Sequence, residues 1–83
     1  MTLNTLKCAL SLLRTQISAV GSIYPSDRTL AREAYLDAVN TQHNAVDIAN
    51  ALPHYNVDIP ISVATELVNH TESVILLGAL FGS

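Results

Sequence analysis

The chain has 83 residues, 49% hydrophobic, 13% charged and 5% aromatic, with a net charge of −3. Charge at about half the usual ~25%, with 25 residues of Leu, Ile and Val, excludes a disordered chain. Cys8 is the single cysteine, which excludes an intrachain disulfide framework and a cysteine-based zinc finger.

A first helix is expected over about residues 2–23. Leu3, Leu6, Leu10, Leu13, Ile17 and Val20 alternate spacings of three and four, an a/d heptad seam that strand alternation does not fit. Ala9, Leu12 and Ala19 widen the apolar surface beyond the seam, and Gly21 and Ser22 loosen the last turn. Cys8 lies in the same apolar stretch and is expected in the core, because a buried structural thiol is the common state of such a cysteine. The turn Tyr24-Pro25-Ser26 closes the segment.

The second helix is expected over about 26–52, with Ser26 or Asp27 as N-cap. Ala31, Tyr35, Ala38, Gln42, Ala45, Ala49 and Leu52 repeat the heptad spacing with mostly small residues, so neighbouring helices approach closely. Leu36, Val39, Val46 and Ile48 flank that line. Arg32, Asp37, Asn40, Thr41, Asn44, Asp47 and Asn50 form the expected wet strip. Pro53 and Pro60 then bracket a loop, which Tyr55 and Ile59 are expected to pin to the bundle; the alternative is that His54 and Tyr55 project toward a partner.

The third helix is expected over about 60–81, with Pro60 or Ser62 at its first turn. Val63, Ala64, Leu67, Val68, Val74, Leu77 and Phe81 form its apolar face. Residues 74–81 are apolar nearly all round, a pattern that is buried on most sides or marks an interface. The fold class that follows is all-α: a single domain over 1–83, a three-helix antiparallel bundle completed by dimerisation. Dimerisation is expected because one core of this size stabilises thinly, and disulfide and metal reinforcement are missing. The expected interface is the seam Leu3, Leu6, Leu10, Leu13, Ile17 and Val20, with Val74, Leu77 and Phe81 at the far end.

Charge is segregated along the chain. Residues 1–32 hold Lys7, Arg14, Arg28 and Arg32 against Asp27, a net +3; residues 33–83 hold six acids and no Lys or Arg, a net −6. Such a division suggests electrostatic pairing of the first helix with the acidic part, within or between chains. Neither apolar run, Cys8–Leu13 or Val74–Phe81, has the length of a bilayer span, and the first does not make a signal peptide, so a cytoplasmic protein is expected.

Motifs for chemistry are sparse. His43/Asp47, Glu33/Asp37 and Glu66/His70 are polar pairs at i, i+4, a spacing that can hold a metal but is ordinary on a wet helix face. The Glu-x-x-His repeat of a carboxylate-metal bundle does not occur. The three glycines form no phosphate loop, and no nucleophile elbow is present. The sequon Asn69-His70-Thr71 carries no meaning in a cytosolic helix. No catalysis, cofactor or metal is therefore expected. The function expected is a small helical protein–protein interaction module, a regulator, adaptor or inhibitor of another protein, acting as a homodimer. The alternative is a DNA-binding helix-turn-helix over Asp47–Leu52 and Pro60–Val68. Its reading helix holds no Lys or Arg and carries Glu66, against the need to neutralise phosphates, so nucleic acid is the weaker expectation.

Overall fold

The computed structural model describes residues 2–23 and 26–81. It consists of three long helices: α1 (Leu3–Gly21), α2 (Arg28–Ala51) and α3 (Ile61–Phe81). A four-residue 3-10 helix, Leu52–Tyr55, follows α2 directly. Tyr24 and Pro25, in the expected first turn, lie outside the described residues.

Local chemistry sets the helix starts. Thr2 and Thr5 form a reciprocal cap: the Thr5 N–H donates to Thr2 Oγ1 at 3.3 Å, and the Thr2 N–H donates to Thr5 Oγ1 at 3.4 Å. Of the two candidates for the α2 cap, Asp27 fills the role, accepting from the Leu30 N–H at 3.3 Å. The carbonyl of Pro60 accepts from the N–H groups of Val63 and Ala64, so Pro60 stands just before α3 and Ser62 lies within its first turn.

The second connection is tighter than a plain loop. Asn56 takes a left-handed conformation with φ 60°, and the Val57 N–H closes back on the Leu52 carbonyl at 3.1 Å. Asparagine enters that region more readily than most side chains, which suits it to end a helical turn. Val57 and Ile59, both half-buried, pack the segment onto the core, while Tyr55 and His54 are exposed. Ile59 thus pins the loop as expected and Tyr55 does not; the turn at Asn56 comes first and carries Val57 inward instead.

The core shows the helix directions. Leu6, Ala9 and Leu10 from the start of α1 cluster with Ala45 and Ile48 from the end of α2, with Leu52, and with Val63 from the start of α3. Leu13, with Ile17 beside it, meets Ala38 and Tyr35 of α2 and Val74 of α3. The helices therefore run up, down and up, the antiparallel bundle that the heptad spacings imply. The bundle measures 46 × 18 × 18 Å. Ala31, Ala38 and Ala45, seven residues apart, are all fully buried. Their methyl groups leave room for α1 and α3 to come close to α2.

Three local expectations need correction. Cys8 is exposed, not in the core. It follows Leu6 by two residues, which rotates it about 200° away from the buried line. Thr41, expected in the wet strip, is half-buried and returns its hydroxyl to the Asp37 carbonyl at 3.1 Å. Ala64 and Val68, expected on the inner face of α3, are exposed; both stand about 100–140° round the helix from Val63.

Candidate functional site

The polar pairs do not build a reactive centre. Glu33, Asp37, His43 and Asp47 are exposed on α2. On α3, His70 Nε2 lies 3.4 Å from Glu66 Oε1 but finds no hydrogen-bond partner. Among the described residues no three His, Cys, Asp or Glu side chains converge as a metal would require. A shallow depression at the start of α2, lined by Arg28, Thr29, Arg32, Glu33 and Leu36, is open to solvent.

The seam of α1 faces inward. Leu6, Leu10, Leu13 and Val20 are enclosed in the chain's own core, Leu3 and Ile17 are half-buried, and Val74 is buried opposite Leu13. Leu77 and Phe81 are half-buried. Most of the residues expected to carry assembly thus hold the monomer together. A second chain would reach Leu6, Leu10 or Leu13 only by opening the bundle.

What the surface offers instead is the outer side of α3. Ile61, Val68, Ile75, Leu76 and Leu80 are 55 to 85% exposed. The first three are one heptad apart and fall on one line, about 21 Å long at 1.5 Å per residue. The reason is a double pattern in α3. Val63, Leu67, His70, Val74, Leu77 and Phe81 form one a/d seam, buried or half-buried against the bundle. Ile61, Thr65, Val68, Glu72, Ile75 and Ala79 form a second seam at the same spacings, shifted by two residues, and every one of them is exposed. A shift of two residues rotates the second seam about 200° from the first, so it points away from the bundle. The apolar end at 74–81 draws the eye in the sequence, whereas Ile61 does not; the seven-residue spacing of Ile61, Val68 and Ile75 is the signal that finds the whole row.

The two seams differ in charge as well as exposure. The inner one contains His70 and no acid; the outer one contains Glu72. Helix α3 has no Lys or Arg. Among the described residues no Lys or Arg comes within ion-pair distance of an acid, and the Glu66–His70 contact is the one such approach. The basic and acidic segments are therefore packed together without being paired. No described helix is long and apolar enough to cross a membrane. Comparison with protein-family models, with curated proteins and with solved structures finds no match to this chain.

Proposed function

We propose that this chain is a small helical protein–protein interaction module, a regulator, adaptor or inhibitor that works by presenting the outer face of α3 to another protein. The observation that carries the reading is the row Ile61, Val68 and Ile75 with Leu76 and Leu80 beside it, left uncovered on a bundle that otherwise encloses its seams. Exposed rows of this kind on a small domain mark surfaces that something else covers. Helix-in-groove or helix-on-helix contact, read through anchors at heptad spacing, is the mode that suits it.

A homodimer belongs to the same reading only through this outer face, since the α1 seam is occupied. A cytoplasmic setting goes with it, because a reducing compartment keeps the exposed Cys8 thiol free. The test is affinity capture from the native host with the whole chain as bait, run in parallel with Ile75→Ser. A protein retained by the natural chain and lost with the variant supports the reading. Equal retention of every captured protein by both baits defeats it. Light scattering decides the homodimer: a particle of the chain's own 8.9 kDa removes that part.

A further inference from the structure

From the outer seam of α3, we infer that the face is built for a cationic amphipathic helix of another protein, with a Lys or Arg set opposite Glu72. This rests on the interaction-module reading and adds the chemistry of the partner. The seam has the form of one half of a helix pair: β-branched residues Ile61, Val68 and Ile75 recur at one heptad position, and Thr65, Glu72 and Ala79 at the other. A seam with those branched residues wants a helix against it, since side chains spaced by sevens mesh with the same spacing in a neighbour.

Glu72 decides which helix. A charged residue within an apolar seam selects its partner, because covering it without an opposite charge is costly. A second copy of α3 has nothing to answer it. Parallel pairing puts Glu72 against its own counterpart. Antiparallel pairing about the middle of the six-residue seam, between Val68 and Glu72, puts it against Val68, with two carboxylates in neighbouring layers and no Lys or Arg on either helix. A second copy's α2 sets Arg32 one turn from the exposed Leu36, but Val39 and Val46, further along that line, are half-buried and leave no row of free apolar anchors. Helix α1 of a second copy is no better suited. Its Lys7 and Arg14 share a line with Ser11 and Ser18, whereas its one large exposed apolar residue, Leu12, lies roughly 140–160° round the helix from them. Helix α3 itself favours a cation too, since it adds Glu66 to Glu72 and has no Lys or Arg.

The test uses two synthetic helical peptides of three heptads with identical leucine seams, one with a central seam lysine and flanking lysines, its twin with glutamate at those positions. Binding to the whole chain is followed by fluorescence anisotropy. The inference expects the lysine peptide to bind about tenfold or more tighter than the glutamate twin. It expects Glu72→Lys to abolish or reverse that preference, and Ile75→Ser to weaken the lysine peptide about tenfold. Both substitutions fall on exposed positions, and a circular dichroism melt checks that each variant folds. Equal binding of the twins overturns the inference, as does a preference that survives Glu72→Lys, which assigns it to overall charge. A dimer that Ile75→Ser splits also overturns it and gives the face to a second copy, with the module reading intact. A monomer that binds neither peptide overturns it as well; the capture experiment then decides the broader reading separately.

Discussion

Helices α1 and α3 are nearly equal in length, 19 and 21 residues, and α3 is the more apolar of the two, yet α1 buries its large side chains and α3 shows them. In α1, five residues are buried and Leu12 is the one large apolar side chain left out. In α3, two valines are buried and five large apolar side chains face outward. Total hydropathy therefore ranks the helices the wrong way round for burial. What matters is concentration: α1 gathers its apolar residues on one stripe, whereas α3 divides them between two opposed seams, of which a three-helix bundle can cover one. The helix that builds the core and the helix that advertises a surface are told apart by distribution.

That contrast can be broken by substitution, and the largest effect belongs to α1. Leu10→Asp sets an unpaired carboxylate in the centre of the core, and loss of the cooperative circular dichroism melt is expected, because a cost of several kcal/mol is a large part of a small domain's stability. Leu13→Ala leaves a cavity where Ala38 and Val74 meet and is expected to cost about 2–5 kcal/mol in urea unfolding. Ile75→Ala removes as large a side chain from the outer seam and is expected to change stability by no more than about 0.5 kcal/mol. Similar losses from Leu13 and Ile75 would erase the distinction between the helices.

Smaller effects sharpen it. Gln16, on the inner side of α1, leaves its Oε1 buried without a partner. Gln16→Leu is expected to raise stability by about 1 kcal/mol in the same assay, since an unsatisfied buried acceptor costs that much or more. The two helical glycines among the described residues give the finest comparison. A methyl group at Gly21, the last residue of α1, meets nothing within 4 Å, so Gly21→Ala is expected to gain a few tenths of a kcal/mol from helix propensity. A methyl group at Gly78 of α3 comes 2.7 Å from the Tyr35 hydroxyl and 3.2 Å from the ring carbon bearing it. Gly78→Ala should forfeit the same gain by displacing Tyr35, and Tyr35→Phe should return part of it, with thermal melts of the single and double variants as the readout.

How much of this was legible in the sequence follows the same line. The heptads of α1 and α2 and the prolines between segments marked three helices, and Leu6, Leu10, Leu13, Ala31, Ala38 and Ala45 fell on the lines that the structure buries. A seam, however, records that a face wants covering and leaves open whether the cover comes from the same chain; Leu6 and Leu13 looked like dimer contacts for that reason. Cys8 is exposed although its sequence neighbours are apolar, because an apolar neighbourhood in sequence is not one in space: two residues along a helix lead to its other side. In α3 the near-uniform apolar content hides the direction of the core, so the sequence points Val68 inward and does not single out Ile61, whereas both are exposed. Tyr55 depended on the left-handed turn at Asn56, which an isolated asparagine after His54-Tyr55 did not announce.

The 18 Å girth of the bundle, set by the buried alanines of α2, has one more consequence. The interior is a narrow stack of side-chain layers drawn from all three helices, a wire more than a ball. Each helical turn adds one rung, and losing a rung at an end does not hollow out those that remain. Amide exchange should accordingly be slowest around Leu13 and Ala38, at mid-length, and quicken toward both tips. Material added along the length of such a wire would thicken it to a ball, and a fourth helix laid on the outer side of α3 would be material of that kind.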